Sequence, residues 1–467
     1  MDSLSIHQLV EAQRAFFSTR ATRDVAFRIQ QLTTLKNAII SHESDLCQAL
    51  QTDLGKTPYE SYLTEIGMVL SEISYTIKHL KSWVKPRRVH TPVTCQLASS
   101  HIYSDPYGCV LIISPWNYPV NLSLTTLVSA LAGGNCVILK PSSNSSNTSA
   151  LLARIIGEIF SPEYVTVIFG NNELHQQLLT EQYDFIFFTG SPSVGKKIMD
   201  AAAKHLTPVC LELGGKSPCI VDNTTDIKTT AKKIIWGKLL NAGQTCVAPD
   251  YVLVDSTIKD QLIQHMLLAI SQFYGDHPAE KESGLPSIIN ERHFYRLLNL
   301  ANGTNPANGK AHSVEEKIYN KEMRKITPTI LDSPTYDAPV MSEEIFGPIL
   351  PVIPVDTIDE AIAYVLSKPH PLALYLFSEN KEVQKKIVNS LPYGGGCIND
   401  TILHLTSHHL PFGGVGQSGM GSYHGKAGFE TFTHKKSVLT KKNFLDNSLR
   451  YPPFNKKISS LLRFFLK

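Results

Sequence analysis

Short apolar segments alternate with helix-like segments in the first half of the chain, and few folds accommodate this alternation. The apolar segments are CVLIIS (109–114), NCVILK (135–140), VTVIFG (165–170) and DFIFFTG (184–190). The stretches between them have helical spacing and the length that a right-handed crossover requires. The pattern predicts a doubly wound parallel sheet, a layout typical of nucleotide-binding domains. A G-x-G-x-x-G fingerprint is missing, so the pattern alone leaves the ligand open.

The rest of the chain predicts a second α/β unit and a smaller element. Residues 5–82 have helical spacing, and PCIVD, YVLVD and a long helix follow residue 213. VHTPVTCQLASSHIYS (89–104) predicts an extended arm, although its composition also fits a plain loop, and residues 425–440 alternate like a strand. The predicted domains are 1–85 with 105–211, 212–395, an arm of 86–104 with 422–440, and a tail of 441–467.

Composition excludes several classes of protein. A net charge of +3 over 467 residues is too small for a nucleic-acid-binding surface, so no nucleic-acid partner is expected. The eight cysteines form no CxxC pair and no regular spacing with histidines, which argues against disulfide frameworks and metal sites. No signal-peptide pattern and no run of about 18 apolar residues occurs, so a reducing cytoplasm is expected.

Two glycine-flanked segments, ELGGKSP (212–218) and NAGQTCVAPD (241–250), hold a carboxylate and a thiol. Cys246 follows a polar turn, where backbone amides are expected to lower the pKa of the thiol and leave the sulfur exposed. Glu212 lies between leucines, where burial is expected to raise its pKa towards that of a general base. The alternatives are a packed cysteine and a salt-bridged strand end. The other seven cysteines lie mostly in apolar segments and are interpreted as packing residues.

Two strand ends carry candidate ligand-binding groups. Lys140 closes NCVILK, so its ammonium is expected at the carboxyl edge of the sheet, unless it is simply a solvated lysine. The turn TGSPSVG (189–195) predicts a helix with Ser191 as its N-cap and Pro192 in its first turn. Such a helix start attracts a pyrophosphate through free amides and the helix dipole.

These segments resemble the base and nucleophile motifs of the aldehyde dehydrogenase superfamily. The likeness runs almost end to end, over TRDVAFRIQQL, PWNYP (115–119), FTGSPSVG (188–195), EEIFGP (343–348), PFGGVGQSGMG (411–421) and YHGKAGFETFTHKKSV (423–438). The short N-terminus and the last block resemble the class 3 branch, which includes fatty, aromatic and coniferyl aldehyde dehydrogenases. The resemblance implies a Rossmann-like NAD(P)-binding domain, an α/β catalytic domain and a small β arm that forms a homodimer.

The resemblance also implies roles for single residues. Cys246 would be the nucleophile, Glu212 the base for water, and Asn117 with the Cys246 amide an oxyanion hole. Lys140 would contact the adenosine ribose, and Ser143 replaces a glutamate of many relatives, so NADP is expected to be tolerated beside NAD. The other implied cofactor contacts are Trp116, Gly190, Ser191, Val194, Gly195, Leu213, Glu344 and Phe346. The implied aldehyde pocket consists of Tyr118, Trp236 and Phe412, which core packing would equally explain.

The expected reaction is NAD(P)-dependent oxidation of an aldehyde to a carboxylic acid through a thiohemiacetal and a thioester on Cys246. Glu212 favours release of the thioester by water over transfer to a thiol. Long aliphatic, aromatic and phenylpropanoid aldehydes all fit an apolar pocket. Two other functions stay open, a cofactor-independent thiol esterase or acyltransferase and a non-catalytic scaffold. The intact Cys246, Glu212, Asn117 and Lys140 argue against the scaffold.

The C-terminal tail, RYPPFNKKISSLLRFFLK from Arg450, combines basic residues with an apolar cluster. It is far too short to span a bilayer. Three interpretations stay open: contact with an anionic membrane surface, insertion into a groove of a partner subunit, or a frayed helix on its own domain.

Overall fold

The computed structural model describes residues 5–92, 95, 98–170, 172–301, 307, 309–316, 318–443 and 451–453. The C-terminal tail beyond 443 lies outside the described residues, apart from 451–453. None of the described helices is long and apolar enough to cross a bilayer.

The helices begin and end where local residues favour it. Ser5 forms a capping box with Gln8, and Gly55 and Gly134 end two helices with left-handed backbone. In chain order the helices are α1 Ile6–Ser18, α2 Val25–Ser41, α3 Glu43–Leu54, α4 Pro58–Ser61, α5 Gly67–Trp83, α6 Pro119–Gly133, α7 Ser146–Ile159, α8 Asn172–Leu178, α9 Pro192–Ala203, α10 Ile227–Leu239, α11 Lys259–Tyr274, α12 Glu291–Ala301, α13 Pro339–Ser342, α14 Ile358–Leu366, α15 Lys381–Ser390 and α16 Gly425–Thr431. A π-helical turn, Tyr62–Ile66, separates α4 from α5.

The strands form three sheets and a small hairpin. In chain order they are β1 Arg87–Val89, β2 Ala98–Pro106, β3 Cys109–Ile113, β4 Cys136–Lys140, β5 Val165–Val167, β6 Phe185–Gly190, β7 Val209–Leu213, β8 Pro218–Val221, β9 Tyr251–Asp255, β10 Lys310–His312, β11 Tyr319–Asn320, β12 Lys325–Ile326, β13 Thr329–Asp332, β14 Ile349–Val355, β15 Ala373–Phe377, β16 Gly395–Ile398, β17 Gly419–Met420 and β18 Thr433–Lys441.

The first sheet has the predicted doubly wound architecture. Its order is β17-β7-β6-β3-β4-β5, with only β17 antiparallel. The chain builds outward from β3 to β5 and then continues on the other side of β3 with β6. A crevice therefore opens between the carboxyl ends of β3 and β6, where ligands bind in such sheets. Every residue of β3 and β4 is buried, as covering helices on both faces require.

The second sheet confirms the predicted second α/β unit. Its order is β10-β13-β14-β9-β8-β15-β16, with only β10 antiparallel. All of β7, through Leu213, belongs to the first sheet, and β16 extends the second sheet past residue 395.

A third, antiparallel sheet joins β1, β2 and β18. Two of its strands, at 87–89 and 98–106, lie in or next to the segment for which an arm is predicted. The prediction of one strand over 425–440 was wrong in its first half, because residues 425–431 form α16. Phe429 of α16 is buried against the ring of Trp83, so one face of this segment is buried as in a packed helix. The strand proper pairs Thr433–Lys441 with Ala98–Pro106.

Candidate active site

Two cavities meet at Cys246. The switch-point cavity, of about 320 Å³, lies at the carboxyl ends of β3 and β6. The apolar cavity, of about 170 Å³, lies on the other side of the thiol. Four residues line both cavities: Leu122, Cys246, Phe412 and Tyr423. Cys246 is therefore accessible from either cavity.

The loop that carries Cys246 has an unusual backbone. After α10, three consecutive residues adopt positive φ: Asn241 (53°), Ala242 (52°) and Gly243 (77°). Such strain persists where the surroundings hold it, and it concentrates at functional sites. A side chain at Gly243 would overlap the Gly347 carbonyl, so glycine is required there.

Buried hydrogen bonds hold this loop in place. The Asn241 amide N–H donates to Glu60 Oε1 at 2.7 Å. Gln244 Nε2 donates to the Ser287 carbonyl at 3.0 Å, and Gln244 Oε1 accepts from Ile289 N at 3.0 Å. The position of Cys246 is therefore determined by contacts with distant segments as well as by the local turn.

The thiol of Cys246 differs from the sequence expectation. Burial, followed by the negative fields of Glu344 and Glu212, raises its pKa to about 12, although the amides of Cys246 and Val247 act in the opposite direction. The predicted lowering of the pKa was wrong, because the desolvation of the half-buried side chain outweighs the turn amides. At neutral pH the thiol is protonated, so a base must act before it can attack.

Glu212, on β7, is buried and lines the switch-point cavity together with Cys246. Burial raises its pKa well above the ordinary value, and one amide donor, Gly414, opposes that shift. Within the described residues it forms no ion pair, and its Oε2 has no hydrogen-bond partner. A salt-bridged strand end is thereby excluded, and the raised pKa that suits a general base is found.

Asn117 lies in the turn between β3 and α6 and is buried. Its side-chain Nδ2 donates to the Gln244 carbonyl at 3.0 Å, across to the Cys246 loop. Its own carbonyl accepts from Asn241 Nδ2 at 2.7 Å and from Lys56 Nζ at 3.2 Å. The side chain therefore does not satisfy its own turn but bridges two loops of the site.

Lys140 ends β4 and is only 7% exposed, so it is not a solvated lysine. Burial lowers its pKa, and no carboxylate of the described chain lies within ion-pair distance. Ser143 is exposed three residues later. Both residues lie at the carboxyl edge of the first sheet, but neither lines the switch-point cavity itself.

The turn from β6 to α9 forms another edge of that cavity. Gly190 and Ser191 line it, and Pro192 begins α9 as predicted. Ser191 occupies the N-cap position, but its hydroxyl contacts Ser193 Oγ at 3.1 Å and caps no amide. The first amides of α9 therefore keep their donors free of a side-chain cap. Further along, Val194 is half-buried and Gly195 is buried.

The segment EEIFGP closes the cavity from the second sheet. Phe346 adopts a left-handed backbone (φ 53°), and its ring lies 5.4 Å from Trp116 at 79°. Burial raises the pKa of Glu344 to about 8, and Glu344 Oε1 has no partner in the described chain. Arg296 holds the segment by donating to the Ile345 carbonyl at 2.5 Å and to Glu343 Oε1 at 3.1 Å.

The three residues predicted for an aldehyde pocket all line the apolar cavity. Tyr118 donates or accepts a hydrogen bond with Thr245 Oγ1 at 2.6 Å, which places its ring beside the Cys246 loop. Sequence reasoning missed most of the other lining residues: Leu63, Thr64, Met68, Asn121, Leu122, Leu240, Thr245, Val247, Ile402, Leu403, Leu405, Thr406, Tyr423 and His424. Four of them lie in quoted motifs and so carried a signal: Thr245 and Val247 in NAGQTCVAPD, and Tyr423 and His424 in the YHGK block.

Sequence reasoning also missed His293 and Arg296 on α12, which line the switch-point cavity. Their helix has no motif, and its approach to the site depends on tertiary packing. Burial and the positive fields of Arg292 and Arg296 lower the pKa of His293 to about 4, so it is neutral at physiological pH.

A doubly wound sheet whose switch-point cavity ends at a half-buried thiol and a buried carboxylate suits a nucleotide bound beside a candidate nucleophile and base. The aldehyde dehydrogenase family matches residues 1–438 of the chain. The chain belongs to the aldehyde dehydrogenase family.

Relatives and solved structures agree with this assignment. The chain is 46% identical to 4,4'-diaponeurosporen-aldehyde dehydrogenase of Staphylococcus aureus, over 98% of this chain and 99% of the relative. It is 44% identical to the dimeric, NADP-preferring aldehyde dehydrogenase of Canis lupus familiaris, over 96% and 98%. A substrate-bound structure of Staphylococcus aureus AldH superposes with a TM-score of 0.93 at 45% identity, covering 99% of this chain and 100% of that one.

A more distant structure is the indole-3-acetaldehyde dehydrogenase AldA of P. syringae in complex with NAD+. It has a TM-score of 0.85 at 25% identity and covers 93% of this chain and 88% of that one. The protein is thus an NAD(P)-dependent oxidoreductase that converts aldehydes to carboxylic acids, with class 3 enzymes among its relatives.

The residues present fit a nicotinamide dinucleotide. Lys140 supplies a buried cation without a carboxylate, and Glu344 supplies a buried carboxyl oxygen without a partner. Gly190 and Gly214 line the cavity, and a Cβ at Gly214 would overlap the Glu344 carboxylate. A cation, a free acceptor and a glycine-lined crevice together match a ribose and pyrophosphate.

Proposed function

We propose that Cys246 attacks the aldehyde and that the two cavities divide the work of binding. The supporting observation is that the thiol lies on the wall common to both cavities. The switch-point cavity takes the nicotinamide end of NAD(P), and the apolar cavity takes the body of the aldehyde. The thiol of Cys246 first loses its proton to a solvent base, the sulfur then forms a bond to the carbonyl carbon, and the carbonyl oxygen becomes an alkoxide.

Asn117 Nδ2 and the Cys246 amide are the proposed donors to this alkoxide. The Asn117 amide is held in the loop beside Cys246, and its second N–H is available for a ligand. Preorganised donors of this kind each contribute about 10²- to 10³-fold to the rate of acyl transfer.

Oxidation then converts the thiohemiacetal to a thioester on Cys246. NAD(P), when bound, accepts the hydride that leaves the former carbonyl carbon. The electron pair of the alkoxide re-forms the carbonyl as the hydride departs, so the sulfur and Asn117 keep their positions while the charge on the oxygen is lost.

Glu212 is the proposed base for hydrolysis. Burial raises the pKa of Glu212, which makes its carboxylate a stronger base for a proton of water. The resulting hydroxide adds to the thioester carbon, the carbon–sulfur bond breaks, and the carboxylic acid leaves. The thiolate of Cys246 regains a proton, which returns the site to its initial state.

Most of the residues proposed to hold the cofactor lie at or just after the strand ends of the first sheet. Lys140 would donate to the adenosine ribose, and the exposed Ser143 leaves room for a 2′-phosphate, so NADP is accepted as well as NAD. Ser191, Val194 and the first turn of α9 would receive the pyrophosphate. The remaining contacts proposed for the nicotinamide half and its ribose are Trp116, Gly190, Gly195, Leu213, Glu344 and Phe346.

The proposed substrates are medium or long aliphatic and aromatic aldehydes. Support comes from the lining of the apolar cavity, in which Trp236, Leu240, Leu405 and Phe412 present apolar surface. Two similar proteins are named for the apolar aldehydes 4,4'-diaponeurosporen-aldehyde and indole-3-acetaldehyde. Coniferyl aldehyde and related phenylpropanoid aldehydes belong to the same class.

The test is reduction of NAD or NADP, followed at the absorbance band of the reduced nicotinamide, with aldehydes from acetaldehyde to long-chain and aromatic compounds. Cys246→Ala should abolish reduction, while Cys397→Ala, a half-buried cysteine that lines neither cavity, should retain it. Reduction that survives in Cys246→Ala would contradict the proposal. Ester hydrolysis without cofactor that exceeds aldehyde oxidation would favour the thiol esterase instead.

A homodimer is proposed through the third sheet. The strand order leaves β18 at an edge of that sheet, and a similar enzyme is named as dimeric. Edge strands expose unpaired backbone groups that another copy can pair with. Light scattering should give the mass of two chains, and a proline at Val438, in the middle of β18, should shift it towards one.

Peripheral membrane contact through the tail is a separate proposal, supported only by its basic and apolar sequence. A chain that ends at residue 443 should lose any binding to anionic vesicles that the full chain has. The eight free cysteines suit a reducing compartment such as the cytoplasm.

A further inference from the structure

A buried ion pair lies directly behind the loop of Asn117. Lys56 Nζ and Glu65 Oε1 are 2.6 Å apart, and both side chains are 0% exposed. Burying two charges is costly, and such a pair is weak evidence for stability by itself. The contacts that each charged group makes beyond its partner point to a different role.

Lys56 contacts both residues that connect this loop to the thiol. Its ammonium donates to the Asn117 carbonyl at 3.2 Å and lies 4.0 Å from the centre of the Tyr118 ring. Tyr118 in turn hydrogen-bonds Thr245, the neighbour of Cys246, at 2.6 Å. The cation therefore fixes the peptide of Asn117 and the ring that contacts the Cys246 loop.

Glu65 fixes the other end of the loop. Its Oε2 accepts hydrogen bonds from Val120 N at 2.9 Å and Asn121 N at 3.0 Å, in the first turn of α6. The N-cap residue of α6, Tyr118, supplies no side-chain cap, so Glu65 replaces it from a different segment. Together the two charged groups hold the backbone on both sides of the Asn117 side chain.

The same turn also forms part of the apolar cavity. Glu65 belongs to the π-helical turn, whose neighbouring residues Leu63 and Thr64 line that cavity. A π turn changes the direction of successive side chains and is frequent at functional sites. Here it directs a carboxylate inward and two neighbouring residues to the cavity wall.

We propose that Lys56 and Glu65 are positioning residues that hold Asn117 in register with Cys246. The inference rests on the proposed oxyanion role of Asn117. A donor displaced by about 1 Å costs roughly 10²-fold in rate. The pair acts through Asn117 and does not touch the substrate.

The test removes both charges of the pair at once, with Lys56→Met and Glu65→Leu, so that neither partner stays buried without the other. We expect kcat to fall about 10²-fold while the KM for NAD is unchanged. The same double change is then made in the Asn117→Ala protein, where it should cause little further loss. If the loss from the double change and the loss from Asn117→Ala multiply, the positioning role is overturned, because residues that act as a unit are non-additive.

Asn117→Ala alone separates this inference from the proposed function. Full activity in Asn117→Ala would overturn the oxyanion role and the inference with it. Low activity in Asn117→Ala with multiplying losses overturns only the inference. If the double variant does not fold, Glu65→Gln, which keeps the shape of the side chain, enters the same cycle.

Arg28→Met provides a matched control for stability. Arg28 is a buried cation that donates to the carbonyls of Thr22 at 2.6 Å and Ala132 at 3.0 Å, outside both cavities. We expect a lower thermal midpoint with kcat unchanged. A fall in kcat equal to that of the pair would show that general destabilisation explains both results, and would overturn the proposal.

Discussion

The two cavities share Cys246 but come from different kinds of structure. The switch-point cavity is built where strands end: residues 115–117 follow β3, 189–191 close β6 and 212–214 close β7. The apolar cavity is built from the π turn, α6, α10 and the loop 402–406, which are far apart in sequence. The proposed cofactor site therefore lies mainly at strand ends of the first sheet, whereas the proposed aldehyde site lies among helices and loops, which can vary independently.

The largest expected effect is on the reactivity of Cys246, which lies where the two cavities meet. Because only the thiolate reacts and the pKa of Cys246 is raised to about 12, alkylation of Cys246 by iodoacetamide should accelerate as pH rises. The expected gain is about tenfold per pH unit between pH 7 and 10, or roughly 10³-fold overall. Mass spectrometry of the Cys246 peptide measures the rate, with the Cys397 peptide as reference. A plateau near pH 8 would show that the turn amides dominate over burial.

Glu212→Gln tests the switch-point side of the thiol. The steady-state kcat should fall about 10²- to 10³-fold, because water loses its base, while the first turnover still releases a burst of reduced cofactor. Hydroxylamine, which attacks thioesters without a base, should restore turnover. Loss of the burst as well would contradict a role limited to hydrolysis.

The pH dependence of the same step has a definite sign. Burial raises the pKa of Glu212, and the base is active only when deprotonated, so hydrolysis should accelerate as pH rises through that pKa. In Glu212→Gln this acceleration should disappear from the steady-state rate.

Ser143→Glu should change cofactor binding alone. A carboxylate beside the ribose would repel a 2′-phosphate, so kcat/KM for NADP should fall about tenfold or more while that for NAD holds or improves. Ser143→Gln adds the same bulk without charge and should leave the ratio near that of the wild type. An altered KM for the aldehyde would contradict the separation of the two cavities.

Trp236→Ala should change the apolar cavity alone. We expect it to have the smallest of these effects. Loss of apolar contact should lower kcat/KM for long or aromatic aldehydes about tenfold and that for acetaldehyde much less. The KM for NAD should not change. Trp83→Ala removes a tryptophan outside both cavities and should leave the ranking of aldehydes intact. An equal loss for every aldehyde would argue against a role of Trp236 in substrate selection.

Local patterns predicted the elements that depend on neighbouring residues. The buried strands from 109 to 190 and the helix start after Ser191 follow from periodicity and turn chemistry, and both are found. The strand predicted over 425–440 failed in its first half because packing of Phe429 against Trp83 favours a helix there. Periodicity over so few residues does not separate the two structures.

The sequence alone was sufficient for the doubly wound sheet and for singling out Cys246 and Glu212 as a candidate nucleophile and base, because side-chain type and local spacing carry both. Only the tertiary structure decided the protonation of Cys246, the shape of the apolar cavity and the anchoring of Asn117. These properties depend on burial and on contacts such as that from Asn117 to Gln244, 127 residues away. Desolvation and long-range hydrogen bonds arise from the folded arrangement, so no local pattern in the chain can express them.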